Sequence, residues 1–194
     1  MNLSWRAMTL CAQRTGIGPL CGFEETDGAA ADGLTQEEAE QVLGGLMDSG
    51  MMDLSGDEVR VSDLGYHLLH MMNTPEICVR LEREDGDRRV RFYERNTYYL
   101  CVIEDLRETS ADSYERFRLE LLPKLELVVG AFAYALQSGE GEIRISGQAW
   151  NRERECVSEY RVTEPAGADV SEAVNRLTAW MLTQIGEGYR REAE

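Results

Sequence analysis

Arginine and aromatic side chains alternate closely between residues 80 and 95, and this segment has the clearest capacity to bind a partner. Its centre consists of Arg89, Arg91, Phe92 and Tyr93. Arginine pairs with carboxylates in a fixed geometry, and arginine and aromatic residues are enriched where proteins contact each other. We therefore predict that these four residues contact an acidic segment of a partner protein. Interleaved acidic residues offer a second interpretation, namely cross-strand ion pairs on a solvated sheet face.

The chain has two histidines, His67 and His70, which are three positions apart. On a helix this spacing places both on one face, close enough to share a metal ion. A metal site needs further ligands, and no Cys, Asp or Glu cluster at ligand spacing accompanies the pair. We therefore predict a partly exposed helix face, with no metal and no cofactor. Any histidine-dependent catalysis would have to use one of these two residues, and we predict no catalytic site.

Two further features argue against common enzyme classes. The run GIGPLCG at residues 16–22 has Cys21 where a dinucleotide-binding loop needs a glycine, and Pro19 lies inside the turn, so we predict a helix terminator. Lys124 is the single lysine. P-loop, Schiff-base and protein-kinase sites each need a suitably placed lysine, so the sequence predicts a protein that is not an enzyme.

The charge balance limits the classes of partner that the protein can bind, and the cysteines indicate its cellular compartment. The chain of 194 residues has 36 acidic and 20 basic residues, a net charge of -16, which repels nucleic acid and anionic membranes. Five cysteines without a C-x-x-C pair indicate reduced thiols and a cytoplasmic protein. No signal peptide is expected. The longest apolar run, LVVGAFAYAL at residues 127–136, is half of the roughly 20 residues that a membrane-spanning helix needs.

Hydrophobic periodicity predicts mainly helices before residue 76. Residues 3–14 have helical spacing, and the glycine- and acid-rich stretch GFEETDGAAADG that follows the terminator indicates a loop. Thr35 and Glu38 have capping-box spacing at the start of the next helix. Residues 51–54 and 59–61 are predicted to be short strands, and Asp63 is predicted to cap a helix that ends near residue 73.

From residue 76 the apolar period changes to two, which is typical of strands. We predict three strands over residues 77–104 with an Asp85-Gly86 turn, then a helix that starts at Ser110 or Asp112 and carries Tyr114, Phe117 and Leu121. Pro123 either kinks this helix or opens another. A second hairpin (EIRISGQAW and CVSEYRVT) and a C-terminal helix follow. The predicted fold class is α+β: a winged-helix-like module at 1–75, and a βββ-α-ββ-α domain at 76–194 with three plus two antiparallel strands and packed helices.

Residues 34–72 resemble half of a winged-helix domain of the MarR-like type. The likeness consists of the helix LTQEEAEQVLGGL, the exit GMMDL, a short wing and VSDLGYHLL, which is similar to the family's step into its next helix. The resemblance implies that the helix before the wing enters the major groove of DNA. Here that helix has Gln36, Glu37, Glu38 and Glu40 and no basic residue, and residues 1–75 have three arginines against twelve carboxylates. We therefore expect no nucleic-acid partner.

Residues 63–194 are similar to secretion chaperones, of the type III class or the EspG class of type VII, in element order, size and charge. We therefore predict a non-enzymatic cytoplasmic protein-binding module, either an adaptor or a chaperone-like protein. A second copy of the chain, in a homodimer, is a further candidate partner. The alternative is a transcriptional regulator descended from winged-helix proteins, with residues 76–194 as a sensor or dimerisation domain. An enzyme with an unrecognised carboxylate site is the third hypothesis.

Overall fold

The computed structural model describes residues 1–23, 35–55, 57–110, 113–151 and 153–192. The helices are α1 (Trp5–Thr15), α2 (Gln36–Asp48), α3 (Asp63–Asn73), α4 (Leu125–Leu136) and α5 (Val170–Glu192). The strands are β1 (Asn2–Leu3), β2 (Met52–Ser55), β3 (Glu58–Val61), β4 (Ile77–Arg83), β5 (Arg88–Arg95), β6 (Tyr98–Asp105), β7 (Phe117–Leu122), β8 (Ile143–Trp150) and β9 (Cys156–Glu164). The predicted α+β class is confirmed. Most of the predicted acidic loop, residues 24–33, lies outside the described residues.

One antiparallel sheet organises the structure. Among the described residues, its seven strands have the order β1-β7-β6-β5-β4-β8-β9, and β2 and β3 form a separate hairpin. The two strand groups that were predicted separately are joined because β4 pairs with β8, from Ile77 opposite Ala149 to Arg83 opposite Ile143. The predicted count of three plus two strands is thus corrected to a single sheet that has seven strands in the described part of the chain.

The prediction of a helix that starts at Ser110 or Asp112 is wrong over residues 117–122, which the structure describes as a strand. Residues 117–122 form β7, which pairs with β6 over six positions. Phe117 and Leu119 are buried on one face of this strand while Arg118 is exposed, which is the period of a strand. Asp112 lies outside the described residues. Pro123 precedes α4, which begins at Leu125, in agreement with the prediction that it opens a helix.

Helices cover the sheet on both faces. α1, α2 and α3 share a core with one face, which includes Tyr93 and Phe117. α4 and α5 share a core with the opposite face, which includes Phe92 and Val79. Successive residues of a strand point to opposite faces, so Phe92 and Tyr93 lie in different cores.

The caps of α2 and α3 show how local sequence sets the helix starts. The capping box predicted at Thr35 is confirmed: its Oγ1 accepts from the Glu38 N–H at 3.3 Å, and its own N–H donates to Glu38 Oε2 at 2.8 Å. The cap of α3 is Ser62 rather than the predicted Asp63. Ser62 Oγ accepts from the Gly65 N–H at 2.9 Å, because Ser62 has the extended backbone that a cap requires.

Contacts cross the predicted boundary between residues 75 and 76. β1 pairs with β7, and the Leu119 N–H donates to the Met1 carbonyl at 2.8 Å. The helices before residue 75 also pack on the sheet that follows it. The division into two domains stays a prediction.

Candidate protein-binding surface

The four residues predicted to bind a partner lie mostly inside the protein. Phe92 and Tyr93 are fully buried, Arg91 is 2% exposed, and the Arg89 side chain retains 23% exposure. They belong to β5, which is the middle strand of the sheet and is covered by helices on both faces. A partner that docks on the folded protein does not reach Arg91, Phe92 or Tyr93. The solvated sheet face expected for this segment is therefore corrected to a strand that is mostly buried.

The predicted cross-strand ion pairs are present, but they are buried around Glu104. Glu104 Oε2 accepts from Arg91 Nη1 at 2.8 Å and from Arg89 Nη1 at 3.2 Å, and its Oε1 accepts from Arg116 Nη2 at 3.2 Å. Burial alone would raise the pKa of Glu104, but Arg91, Arg89 and Arg116 hold it below its usual value. The carboxylate stays charged and neutralises part of a three-arginine cluster.

Arg91 and Tyr93 bind a segment of their own chain. Arg91 Nε donates to the Gly22 carbonyl at 2.9 Å, and its guanidinium carbon lies 4.0 Å from the ring centroid of Phe23. The Tyr93 hydroxyl donates to the Cys21 carbonyl at 2.7 Å. The residues that looked suited to a partner thus hold residues 21–23 against the sheet.

The two histidines have separate surroundings on α3. The His67 and Tyr98 rings meet edge to face, and His70 Nδ1 lies 3.4 Å from Thr74 Oγ1. Burial is the largest cause that lowers the pKa of His70, and the nearby Arg95, His67 and Arg154 act in the same direction. In the described part of the chain, no three His, Cys, Asp or Glu side chains are grouped to hold a metal ion.

β9 is an open edge of the sheet. This nine-residue strand pairs with β8 on one side, and no described strand pairs with its other side. At the opposite edge β1 has two residues and covers the start of β7. An outer strand offers a row of unpaired backbone N–H and C=O groups, which is a template for another strand. β9 is the longest such template among the described strands.

The two faces of β9 differ in how far other parts of the chain cover them. Towards α5, the Tyr160 and Trp180 rings lie 5.5 Å apart, and Trp180 Nε1 donates to Ser158 Oγ at 3.1 Å. On the other face, no β9 residue belongs to the core that α1, α2 and α3 share with the sheet, and Glu159, Arg161 and Thr163 are exposed. Val157, at the register irregularity of β9, is also exposed. Arg161 has no ion-pair partner among the residues that the structure describes. The edge therefore combines an apolar side, a polar side and an available positive charge.

The helix and hairpin for which the sequence predicted a winged-helix-like shape, α2 with β2 and β3, carry exposed carboxylates. In α2, Glu37 and Glu40 are exposed and there is no Arg or Lys. Arg60 on β3 pairs with Glu58 at 2.6 Å. Across the described residues of α2, β2 and β3, arginines do not form the stripe that phosphate binding requires.

No known protein-family model and no curated protein matches the chain. None of the helices in the described ranges combines the length and the apolar composition needed to span a bilayer. The alternating pattern of residues 156–163 predicted a strand, but not its place at the edge. That place depends on the pairing of β4 with β8, which joins residues far apart in sequence.

Proposed function

We propose that the chain is a non-enzymatic, cytoplasmic protein-binding module that adds an extended segment of a partner protein to the outer edge of β9. The observation that carries this proposal is the nine-residue edge strand with an unpaired outer side in the described chain. In this mode of recognition backbone hydrogen bonds supply affinity, and alternate side chains supply specificity.

The two faces of β9 define the chemistry of the segment that would bind. Its residues on the α5 side would be apolar, because they would lie beside Tyr160 and Val162. Its residues on the other side would be polar, with a carboxylate near Arg161. The net charge of -16 favours association with a partner protein of positive net charge, because opposite fields steer the encounter.

Adaptor and secretion-chaperone roles are proposals within this same class. The winged-helix-like shape of residues 34–72 is also a proposal, supported by the order α2, β2, β3, α3. A regulator that reads DNA is the weaker alternative, because the exposed carboxylates of α2 would face the phosphates.

Site-specific photocrosslinking tests the proposal in cells that naturally produce the chain. A photoreactive amino acid is placed at Val157 or Thr163, which are exposed on β9, and at Glu37, which is exposed on α2, as the matched control. We expect both β9 positions to capture the same segment of the same protein, and the α2 position not to capture it. The Arg161→Glu substitution should reduce the yield from both β9 positions.

Three other outcomes would contradict the proposal. Capture of a protein from Glu37 but not from β9 would indicate that the partner-binding surface lies in the winged-helix-like region. Crosslinks between two copies at β9 would assign the edge to a homodimer. Salt-sensitive retention of the purified protein on duplex DNA, without a captured protein, would favour the regulator.

A further inference from the structure

A cavity of about 620 Å³ lies where the end of β4 meets the start of α5. Six described residues line it: Arg83, Glu140, Ala166, Gly167, Ala168 and Val170. Arg83 is the last residue of β4, and Val170 is the first residue of α5. Arg83 alternates with Leu81, so it lies on the sheet face that α4 and α5 cover. None of the six residues belongs to β9.

Arg83 is a buried charge without a counter-charge in the described chain. Its exposed fraction is 7%. Its Nη1 donates to the Gly139 carbonyl, whereas its Nε is buried and has no hydrogen-bond partner among the described residues. Arg83 also forms no ion pair with any residue that the structure describes. A guanidinium stays charged at neutral pH, and a charge removed from water is stable only when it is paired. The position of Arg83 therefore favours a bound anion.

The loop between α4 and β8 fixes this guanidinium in place. Asp85, two residues after Arg83, accepts from the N–H groups of Glu140 at 2.9 Å and Gly141 at 2.7 Å. A Cβ atom at Gly139 would overlap the Asp85 carboxylate and lie 3.1 Å from Arg83 Cδ. This close fit holds the Gly139 carbonyl against Arg83, so the arginine is positioned before any ligand binds.

The start of α5 adds a second source of positive potential. The first N–H groups of a helix have no partner within the helix and carry partial positive charge, and α5 has 23 residues. Asp169 Oδ1 accepts from the Ser171 N–H at 2.8 Å, whereas Val170 lines the cavity. An anion beside Arg83 would therefore lie near the positive end of this helix.

Carboxylates around the cavity determine which anion binds best. Glu140 lines the cavity, Asp85 holds its loop, and Asp169 lies between two lining residues in sequence. Their repulsion grows with the charge of the ligand, so a monoanion is favoured over a doubly charged phosphate. Three lining residues offer apolar side chains to a short carbon chain: Ala166, Ala168 and Val170. The cavity thus combines one fixed cation with a small apolar wall.

We propose that this cavity binds a small aliphatic monocarboxylate. The carboxylate of the ligand pairs with Arg83, and its carbon chain contacts Ala168 and Val170. The ligand supplies the counter-charge that the described chain lacks. This site goes beyond the proposed function, because it does not use the outer side of β9.

An NMR titration of the ¹⁵N-labelled full chain with sodium butyrate tests the proposal. Sodium chloride at the same ionic strength is the reference, butan-1-ol has the carbon chain without the charge, and sodium phosphate is the competing anion. We expect butyrate to shift the backbone amide signals of Gly167, Ala168 and Val170 in a saturable way. Chloride and butan-1-ol should not do so, and phosphate should bind more weakly than butyrate.

Two arginine variants test the source of the affinity. In Arg83→Gln we expect butyrate to bind at least about tenfold more weakly, because a charge-assisted hydrogen bond is lost. Glutamine can still donate to the Gly139 carbonyl. Arg144→Gln is the matched control, since Arg144 is exposed and pairs with Glu142 at 2.9 Å. Its affinity for butyrate should change by less than about twofold.

Two exposed positions keep the test independent of any effect of Arg83 on folding. Ala166→Glu adds a carboxylate to the lining and should weaken butyrate binding, whereas Glu140→Gln removes one and should strengthen it. The proposal is overturned if butyrate shifts none of the three amide signals, or if phosphate binds as tightly. It is also overturned if both Arg83→Gln and Ala166→Glu leave the affinity unchanged.

Discussion

Glu104 is the residue on which the inner ion-pair network depends, because its carboxylate accepts hydrogen bonds from three arginines. Its side chain is 5% exposed, and that of Arg91 is 2% exposed. Charges removed from water to this degree are stable only when they are paired. The sequence showed that arginines and carboxylates alternate on facing strands, which predicted the pairing. It did not show the burial, because the helices that cover them come from other parts of the chain.

We expect Glu104→Gln to lower the free energy of unfolding by about 3 to 5 kcal/mol, since it leaves buried arginine charge without its counter-charge. Urea denaturation measures the change. Glu58→Gln is the matched control: its pair with Arg60 is mostly exposed, so the expected loss is below about 1 kcal/mol. Equal effects of the two substitutions would contradict the buried network.

The loss of stability at acid pH should depend on the carboxylates that pair with buried arginines. Burial alone would raise the pKa values of Glu82 and Glu104, but neighbouring arginines hold both below the usual value. The unfolded chain therefore binds protons more readily, so the stabilisation is complete above the unfolded glutamate pKa of about 4.3 and is lost as the pH falls through the lower folded values. Urea denaturation at a series of pH values in this range should show that the free energy of unfolding falls with pH, and that it falls less steeply in Glu104→Gln. The same pH dependence in the variant and the wild type would contradict this prediction.

At the scale of elements, the close fit of α3 against the turn before β2 depends on Gly65. A Cβ atom at this position would overlap the backbone carbonyl oxygen of Met51 and lie 3.0 Å from Val61 Cγ1. Local sequence patterns predicted β2 and β3 as short strands and α3 as a helix, and the Ser62 cap explains where α3 begins. The closeness of their approach depends on tertiary packing, which no local pattern reports.

We expect Gly65→Ala to destabilise the protein by about 1 to 3 kcal/mol, because backbone must move to admit the methyl group. Gly130→Ala on α4 is the control. A Cβ at that position meets no atom within 4 Å, and alanine favours a helix over glycine by up to about 1 kcal/mol, so this variant should be unchanged or more stable. Thermal unfolding of both proteins gives the comparison. A Gly65→Ala protein as stable as the wild type would show that the contact is loose.

β7 shows why local pattern can fail at this scale. Tyr114, Phe117 and Leu121 have helical spacing, whereas Phe117 and Leu119 have strand spacing, so the sequence supports either reading. The structure favours the strand because β6 offers an edge to pair with over six positions. In contrast, the hairpin around Asp85 and Gly86 has one clear period and a turn signal, and its strands formed as predicted.

At the scale of the whole molecule, a central sheet lies between two layers of helices and ends in the open edge of β9. Composition and period predicted the α+β class and most elements. The strand order could not be predicted, because it depends on which distant strands pair. This order buries the arginine and aromatic strand that the sequence predicted to bind a partner, and it places β9 at the edge of the sheet.

Hydrogen exchange is the most direct measurement of binding at this edge. The chain is compared alone and with the partner segment captured by the β9 crosslinks, and amide exchange is followed by mass spectrometry. We expect the backbone amides of Cys156–Glu164 to exchange more slowly in the complex, because a new strand would accept their hydrogen bonds. Unchanged exchange in β9, with slowing confined to α2 and the β2–β3 hairpin, would contradict strand addition.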